Sequence, residues 1–313
     1  MQVTAVIVTH NRLELLKECI TAVKAQTYQP SAILVVNNDS SDGTTEWLKK
    51  QNEILNIHQS NRGGAWGFYT GIKGAYNTGA DWFWIMDDDT IPYPSTLEYL
   101  TKAVEDTNSE DNFGFFSSKV TWTDGNLHLL NKPHVDQSFS GKNSFAYYNK
   151  KGLTPLAYNS FVSIIISKEA VEKAGLPIKE FFIWNDDIEY TQRIRKNGFV
   201  GALVEKSVVV HKTPVNNESN LFTDSKTNLW KYCYGFRNDL YIRKHTKGYG
   251  SYVRNLFKRF VVFPFMIFIN RKGDRWAFTK MVWRSSFDAM SFNPVKEFIN
   301  QKENVDHATG EQV

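Results

Sequence analysis

The segment that decides the fold is 3–36, VTAVIVTHNRLELLKECITAVKAQTYQPSAILVV. It starts with an unbroken apolar and β-branched run, Val3 to Val8, which is typical of a strand buried on both faces. A second such run, Ala32 to Val36, ends it. Between the two runs, Asn11 is placed to cap a helix, and apolar residues recur at helical spacing at Leu13, Leu16, Ile20 and Val23. This order predicts two parallel strands joined by a crossover helix.

The same alternation continues to residue 89. Apolar runs predict strands at Ile54 to His58 and Trp82 to Met86, and helices are expected at Thr45 to Lys50 and from Gly64 to about Thr78. We therefore predict an α/β fold with a mostly parallel sheet flanked by helices. Ligands bind such sheets beyond the carboxyl ends of the strands. A polar cluster follows each of the four strands: Thr9 to Arg12, Asn37 to Asp42, Asn61 to Gly64, and Asp87 to Asp89.

Further along the chain the pattern is less regular. Strands are predicted at Phe115 to Trp122, Ser160 to Ser167 and Gly201 to Val210. Helices are predicted at Lys168 to Ala174 and Asp186 to Lys196. The chain from 213 onward is expected to be mainly helical, so we predict one domain over 1–212 and a C-terminal extension over 213–313, with a frayed tail from Gln301.

Composition excludes several classes of protein. Of the 313 residues, 42% are hydrophobic and 22% are charged, which excludes wholesale disorder. The two cysteines exclude a disulfide scaffold and a zinc ribbon. The N-terminus lacks a basic region, and no apolar run reaches the roughly 20 residues needed to span a bilayer. We therefore expect a cytoplasmic protein.

The C-terminal region is strongly basic. Between Lys231 and Ser285 there are 13 Lys or Arg and 2 Asp or Glu, although the whole chain carries only +4. The longest apolar run, Phe260 to Ile269, lies inside this region and is followed by Trp276. The pattern fits an element lying on the anionic inner face of the cell membrane, or equally a core helix pair with solvated charges. No nucleic-acid motif is present, so we expect no nucleic-acid partner. The sequence predicts no oligomeric state.

Asp87-Asp88-Asp89 is the sharpest chemical feature. Alternate residues of an extended segment point the same way, so Asp87 and Asp89 are expected to converge while Asp88 faces elsewhere. Two converging carboxylates suit Mg²⁺ or Mn²⁺, which also bind phosphate oxygens. The alternative is a solvated acidic turn before Pro92. His211 follows a predicted strand and is either a third metal ligand or a surface residue.

A second acidic cluster, WNDDIEY, occupies 184–190. Asp186 or Asp187 is either a helix cap or a general base whose pKa is raised by its aromatic neighbours. Glu189 and Arg193 are four residues apart on this helix and are expected to pair. Separately, Asn61 to Gly67 opens a helix, where backbone N–H groups and Arg62 could hold a phosphate or form only a tight turn.

Taken in order, these motifs resemble family 2 glycosyltransferases over about Val3 to Lys212. The resemblance implies a GT-A (Rossmann-like) fold, a nucleotide-sugar donor and inversion at the sugar. The runs GGAWGF at 63–68 and FFIWNDDIEY at 181–190 look closest to the galactofuranosyltransferase-like branch, with the rhamnosyltransferase-like branch as its neighbour. The implied function is metal-dependent transfer, with Mn²⁺ or Mg²⁺, of galactofuranose from UDP-galactofuranose or of rhamnose from dTDP-rhamnose. The implied acceptor is a glycan or lipid-linked hydroxyl in surface polysaccharide synthesis.

The resemblance also implies residue roles. Asp187 matches the catalytic base and Asp186 orients the acceptor. Apart from the resemblance, Trp184 is assigned to acceptor binding, and Arg237, which follows Tyr232 and Tyr234, either lines the acceptor site or has a purely structural role. The metal ligands are Asp87, Asp89 and His211. The donor residues are Thr9, Asn11, Arg12 and Asn38 for the nucleoside, Arg62 and Gly63 for the diphosphate, and Asp88. Many members have Asp where Asn37 or Asn38 stands here, so the contact with the base stays open. Two alternatives compete with this function: a nucleotidyltransferase, and a non-catalytic protein that binds a nucleotide-sugar or a glycan.

Overall fold

The computed structural model describes residues 1–107, 111–137, 139 and 144–299. Within this part of the chain, ten strands are numbered in chain order. They are β1 Val3–Thr9, β2 Ala32–Asn38, β3 Leu55–Gln59, β4 Trp82–Asp87, β5 Thr90–Pro92, β6 Phe113–Thr121, β7 His134–Val135, β8 Leu153–Tyr158, β9 Ile164–Ser167 and β10 Val200–His211. They form one mixed sheet in the spatial order β3-β2-β1-β4-β9-β6-β10-β8-β7, with β5 paired to β10.

Eleven α-helices lie in the same described ranges. They are α1 Leu13–Lys24, α2 Thr44–Leu48, α3 Gly64–Tyr76, α4 Thr96–Glu105, α5 Phe145–Lys150, α6 Lys168–Ala174, α7 Asp186–Lys196, α8 Leu229–Thr246, α9 Tyr249–Phe257, α10 Phe263–Asn270 and α11 Arg275–Ser291. A π-helical turn, Lys258–Val262, joins α9 to α10.

The first four strands form the predicted parallel sheet. β1 lies between β2 and β4 and is parallel to both, and β3 extends the sheet beyond β2. In register, Thr9 pairs with Asn37, and Val8 pairs with Asp87. The carboxyl ends of these strands therefore meet at one edge, as the positions of the polar clusters predicted.

Beyond β4 the sheet becomes mixed. β9 is inserted between β4 and β6 and runs antiparallel to both, whereas β6 and β10 are parallel. The strand predicted from Ser160 begins only at Ile164, because Ser163 has a φ of +54° that ends extended pairing. The Ser163 hydroxyl instead accepts a hydrogen bond from Trp84 Nε1 (3.0 Å).

Both faces of the sheet are covered by helices. Along β1, Val3, Ala5 and Ile7 face one core, which α1 and α4 complete. Val6 and Val8 face the opposite core, which includes α3, α6 and α7. A strand buried on both faces explains why the β1 sequence is apolar throughout rather than alternating.

The predicted cap of α1 is wrong. Asn11 has a φ of +53°, and its Oδ1 accepts a hydrogen bond from Ser41 N (2.7 Å). The first helical N–H, that of Leu13, donates instead to Asp42 Oδ2 (2.8 Å). The helix is thus capped from the loop after β2, because that loop lies beside the end of β1 in the sheet.

The C-terminal region is helical, as predicted. α8 packs against α7 and α11, and Trp184 contacts the apolar cluster formed between α8, α10 and α11. The boundary at 212/213 stays a prediction, and the frayed tail predicted from Gln301 lies outside the described residues. Among the helices of the described chain, none combines the length and apolarity needed to cross a membrane.

Candidate active site

The two acidic clusters lie at the carboxyl edge of the sheet. Asp87 ends β4, and the chain then turns back through Asp88 and Asp89 into β5. β5 pairs with the end of β10, in a register that places Thr90 opposite His211. This strand reversal brings His211 to the acidic cluster from far along the sequence.

Asp87, Asp89 and His211 converge. Each offers one ligand atom, and the three atoms lie within 4.8 Å of one another. His211 Nε2 lies 3.0 Å from Asp89 Oδ1, and its Nδ1 donates to Asn131 Oδ1 (2.8 Å). The hydrogen bond from Nδ1–H to Asn131 orients the imidazole ring, so that Nε2 is the nitrogen that faces the carboxylates.

The electrostatics of this cluster fit a divalent cation. Burial and the neighbouring Asp89 raise the pKa of Asp87 to about 7, and burial raises the pKa of Asp88 to about 6. Burial would raise the pKa of Asp89 as well, but His211 and Arg12 lower it below its ordinary value. The buried Asp89 Oδ1 also accepts no well-aligned hydrogen bond from the described residues. Carboxylate oxygens and an imidazole are suitable ligands for Mn²⁺ or Mg²⁺.

Asp88, Thr9 and Arg12 form a hydrogen-bonded group beside the cluster, in which Asp88 and Thr9 are buried and Arg12 is exposed. Thr9 Oγ1 donates to Asp88 Oδ2 (2.7 Å), and Arg12 Nη1 contacts Asp89 Oδ2 (2.5 Å) and Asp88 Oδ1 (3.3 Å). The Arg12 guanidinium thus offsets part of the negative charge of the acidic turn. The structure brings these three predicted donor residues together, and their contact with a nucleotide stays a prediction.

Asn37 and Asn38 are buried and use their amides within the protein. Asn37 Nδ2 donates to Thr45 Oγ1 (2.9 Å), and its Oδ1 accepts from Ser40 N (3.0 Å). Asn38 Oδ1 accepts from Gln59 Nε2 (2.7 Å). Both side chains therefore shape the loop that follows β2, and the question of which contacts the base stays open.

Gly63 lies directly against the loop that precedes Asp187. It has a φ of +90°, and a Cβ placed there would lie 2.2 Å from Phe182 O. The same carbonyl accepts a hydrogen bond from Ala65 N (3.1 Å) at the start of α3. Arg62 beside it is exposed, with its guanidinium 4.7 Å from the centre of the Trp66 ring.

We expect Gly63→Ala to lower both thermal stability and activity, because the new methyl group meets a backbone carbonyl and the positive φ disfavours any side chain. Its neighbour Gly64 provides the matched control, since a Cβ there meets nothing within 4 Å. Thermal unfolding of the two variants should show a loss of at least about 1 kcal/mol for Gly63→Ala alone. Equal stability of both variants would contradict the tight contact.

The loop 181–185 has unusual backbone geometry. Phe182, Trp184 and Asn185 all have positive φ angles, of 67°, 65° and 69°. Such conformations cost free energy and persist only where the surroundings hold them. Helix α8 does so: Asn238 Nδ2 donates to Phe181 O (3.0 Å), Ile183 O (3.2 Å) and Trp184 O (2.8 Å).

Asp186 and Asp187 follow this loop as the first two residues of α7. Asn185 occupies the N-cap position without a side-chain capping hydrogen bond, so neither aspartate is the N-cap residue. Asp187 Oδ1 does accept a hydrogen bond from Ile188 N (2.7 Å) within the first turn. Burial raises the pKa of Asp187 to about 6. The pKa of Asp186 is raised well above its ordinary value, chiefly by burial and next by the charge of Asp187. The charge of Asp87 also raises the pKa of Asp186, so the two acidic clusters influence each other. The raised pKa expected for a base in this position is confirmed, and the catalytic role stays a prediction.

The other predicted residues of this region have structural contacts. Glu189 and Arg193 form a buried pair, with Nε–Oε1 and Nη2–Oε2 distances of 2.9 Å, as predicted. Trp184 packs edge-on against Tyr232, with ring centres 5.1 Å apart. Arg237 Nη2 donates to Glu180 O (2.7 Å), and its guanidinium lies 3.8 Å from the centre of the Phe292 ring. Acceptor binding by Trp184 and Arg237 stays a prediction.

The model of the family described as "Glycosyl transferase family 2" matches residues 4–175. The chain belongs to glycosyltransferase family 2. The match covers strands β1 to β4 and both sides of the acidic turn.

Curated relatives of this family 2 glycosyltransferase include galactofuranosyltransferase GlfT1. The protein from Mycolicibacterium smegmatis is 29% identical over 202 residues, 63% of this chain and 66% of that protein. GlfT1 from Mycobacterium tuberculosis H37Rv is 38% identical over 91 residues, 28% of this chain and 30% of that protein. The chain thus spans slightly under two thirds of the first relative and under one third of the second.

Solved structures share the GT-A fold. GalNAc-T7 with UDP, GalNAc and Mn²⁺ has a TM-score of 0.59 at 14% identity, covering 96% of this chain and 55% of that chain. The Pyrobaculum calidifontis mannosyltransferase PcManGT, in complex with GDP-Man and Mn²⁺, has a TM-score of 0.53 at 15% identity, covering 93% and 76%. At these identities the likeness shows the fold alone, and it confirms the predicted fold class.

Sequence reasoning missed the residues that support the site. Asn131 orients His211, and His128 packs against the His211 ring with ring centres 4.6 Å apart. Asn185 Nδ2 donates to Gly235 O (3.0 Å), and a Cβ at Gly235 would lie 2.7 Å from the Trp184 ring. Asn131, His128 and Gly235 stand outside every motif, so no local signal identified them. Asn185 lies within the 184–190 run, but its hydrogen bond to Gly235 joins segments 50 residues apart and leaves no signal in the sequence.

Proposed function

We propose that this family 2 glycosyltransferase catalyses metal-dependent, inverting transfer of galactofuranose from UDP-galactofuranose. The acceptor is a hydroxyl of a glycan or lipid-linked glycan in cell-surface polysaccharide synthesis. The transfer takes place on the cytoplasmic side of the membrane. The observation that carries the proposal is the pairing of two acidic clusters at one sheet edge: a metal-ligand set, and an aspartate with a raised pKa. The names of the GlfT1 relatives support the choice of sugar.

The residues that would hold Mn²⁺ or Mg²⁺ are Asp87, Asp89 and His211. A bound cation would supply positive charge to the leaving nucleoside diphosphate. Arg12 contacts Asp88 and Asp89 beside this site, and its charge lowers the pKa of both carboxyl groups against the effect of burial. Arg62 and the N–H groups at the start of α3 present further positive potential for the diphosphate.

Asp187 acts as the base in this proposal. Its carboxylate takes the proton from the acceptor hydroxyl as that oxygen attacks the sugar carbon opposite the leaving diphosphate. Oδ1 accepts a hydrogen bond from Ile188 N (2.7 Å), which fixes the carboxylate and leaves Oδ2 for the acceptor. A binding protein without catalysis has no use for a partly desolvated carboxylate beside a metal-ligand set. The family match likewise argues against a nucleotidyltransferase.

The test is a donor screen that follows nucleoside diphosphate release. The purified chain is given UDP-galactofuranose, dTDP-rhamnose, UDP-glucose and UDP-galactose with a mixture of glycan acceptors, in Mn²⁺, Mg²⁺ or EDTA. We expect metal-dependent release from UDP-galactofuranose alone, and a product of inverted anomeric configuration by NMR. Release from dTDP-rhamnose would move the chain to the neighbouring branch. Tight nucleotide binding with no release from any donor would favour the non-catalytic binding protein.

The pH profile should report Asp187. The folded pKa of about 6 lies above the ordinary value of a carboxyl group, so Asp187 is protonated, and unable to accept a proton, at lower pH. The transfer rate is therefore expected to rise with pH through about 6 and then level off. A rate that stays unchanged down to pH values near 4, the ordinary range of aspartate, would contradict a base at this position.

A further inference from the structure

The helical segment 257–271 has its polarity reversed relative to an ordinary surface helix. Arg259, Ile267 and Arg271 are its inward-facing residues, with 4%, 0% and 5% of their surface exposed. Large apolar side chains face outward instead, at Phe257, Val261, Phe265, Phe268 and Ile269. Phe265 is 68% exposed and Ile269 is 62% exposed. Exposure of such an apolar face to water is unfavourable, and a surface helix of a soluble protein normally turns its apolar side to the core.

Buried arginines keep the segment in this orientation. Arg259 Nη2 contacts Asp239 Oδ2 on α8 (2.5 Å). Arg271 donates to Leu221 O and Asp224 O (2.6 Å each), and its guanidinium lies 3.3 Å over the Phe278 ring. Rotating the helix to bury the phenylalanines would expose these pairs and leave polar partners unsatisfied. The outward apolar face is therefore a built feature of the fold.

The helices that carry this face, and the α11 helix that follows them, are rich in positive charge. Residues 249–291 contain eight Lys or Arg and two Asp or Glu. With Arg259 and Arg271 turned inward, six cations are exposed: Arg254, Lys258, Lys272, Arg275, Lys280 and Arg284. Trp276 and Phe287 on α11 add exposed aromatic surface. An apolar stripe with aromatic residues, in a helical region that exposes many cations, matches an anionic lipid surface.

We propose that the docking face, Phe257, Val261, Phe265, Phe268 and Ile269, lies flat on an anionic lipid bilayer, with the six exposed cations of residues 249–291 contributing the electrostatic attraction. Since none of the described helices is able to span a membrane, the contact is interfacial. Charge complementarity favours a bilayer over a second copy of this chain, because a symmetric dimer through this face would bring the same six cations together. This inference does not depend on the proposed sugar transfer.

The docking face is one helix layer away from the active-site loop. Arg259 contacts Asp239 on α8, and the adjacent Asn238 holds the loop before Asp187. Docking would therefore set the distance of the active-site loop from the lipid surface.

The test is flotation of the full chain with phosphatidylcholine vesicles, with and without phosphatidylglycerol. We expect binding only to vesicles containing phosphatidylglycerol, and weaker binding at high salt. Phe265→Asp combined with Ile269→Asp should reduce binding at least about tenfold. Val215→Asp is the matched control, since Val215 is 56% exposed and lies outside the docking face. Thermal unfolding checks that each variant folds.

If the apolar variant fails to fold, a charge-reversal variant, Lys272→Glu with Arg275→Glu, provides a second test. Its binding to anionic vesicles should be weaker than that of the unmodified chain and should no longer depend on salt. Absence of binding by the unmodified chain, or equal binding by the apolar variant and the control, would overturn the proposal. A dimer in light scattering that Phe265→Asp converts to a monomer, without vesicle binding, would assign the face to self-association and also overturn it.

Discussion

Replacing Asp187 with Asn is expected to lower the rate of sugar transfer by about 10²–10⁴-fold, the usual contribution of a positioned base. The amide has the shape of the carboxylate, and its oxygen still accepts the hydrogen bond from Ile188 N. The start of α7 and the 181–185 loop are therefore expected to stay in place. What the variant loses is the ability to take up the proton of the acceptor hydroxyl. Steady-state transfer, measured with saturating donor, is the direct readout.

Stability separates lost chemistry from lost structure in this variant. The folded pKa of Asp187 is raised to about 6, so the native state holds a proton that the unfolded chain releases near pH 4. Stability contributed by the neutral form is present below the unfolded pKa and is lost as the pH rises to about 6. Asn remains neutral, so at neutral pH the variant should unfold at or above the wild-type temperature.

The control for Asp187→Asn is Glu169→Gln on α6. Glu169 is exposed and pairs with Lys173 four residues later. It follows the end of β9, where Ser167 pairs with Trp82 at the start of β4, the end opposite Asp87. Its removal should leave transfer and stability nearly unchanged, because exposed pairs contribute little. Near-wild-type turnover in Asp187→Asn would remove Asp187 from the role of base. A fall in unfolding temperature together with turnover would assign it a structural role instead.

Replacing Asp87 with Asn is expected to stabilise the metal-free protein and to abolish its response to Mn²⁺. Burial and the charge of Asp89 hold the pKa of Asp87 near 7, so the metal-free native state loses stability as the pH rises from about 4 to about 7. A neutral amide avoids that loss. It is, however, a poor ligand for a divalent cation beside Asp89 and His211. We expect the affinity for Mn²⁺ to fall at least about 100-fold, since even outer-shell changes cost 10–100-fold.

Asp89→Asn is the matched comparison, with the opposite expected effect on the metal-free protein. Asp89 is paired with Arg12 and lies beside His211, and these two cations hold its pKa below the ordinary value. Its neutralisation removes the nearer of the two carboxylates that Arg12 contacts, and the carboxylate beside His211, so it should lower the unfolding temperature. Both variants should lose metal binding. Calorimetric titration with Mn²⁺ and thermal unfolding in EDTA distinguish the two effects.

Retention of a Mn²⁺-induced rise in unfolding temperature by Asp87→Asn would contradict the metal site. A lower unfolding temperature for this variant in EDTA would show that its carboxylate is paired rather than repelled. The donor screen then becomes the independent check, because it depends on the sugar and not only on the cation.

Most of the secondary structure could be predicted from hydrophobic periodicity. Helices α6 and α7 begin and end at the residues predicted, and β4 differs from the prediction by one residue. Burial on both faces, or on one helix face, leaves a pattern within a window of a few residues, so local reading succeeds there. The antiparallel direction of β9 was not predicted, because β9 pairs with β4 and β6, which lie tens of residues away in the sequence.

The acidic clusters were also visible in the sequence, because a carboxylate run at the end of an apolar strand is a local signal. Their supports were not. Asn131, which orients His211, and Asp42, which caps α1, act through hydrogen bonds to distant segments. For the segment 260–269 the sequence left two alternatives, a core helix or an interfacial one, since ten apolar residues suit both.

By itself, the sequence determined the strand and helix order, the edge at which the site lies, and the residue types able to bind a cation and move a proton. Tertiary structure alone decided that His211 meets Asp89, that α8 holds a loop of positive φ angles before Asp187, and that Arg259 and Arg271 turn inward. The physical reason is the range of the forces involved. Periodic burial leaves a local pattern of apolar residues in the sequence. A buried polar group, by contrast, meets its partner only when distant segments pack together.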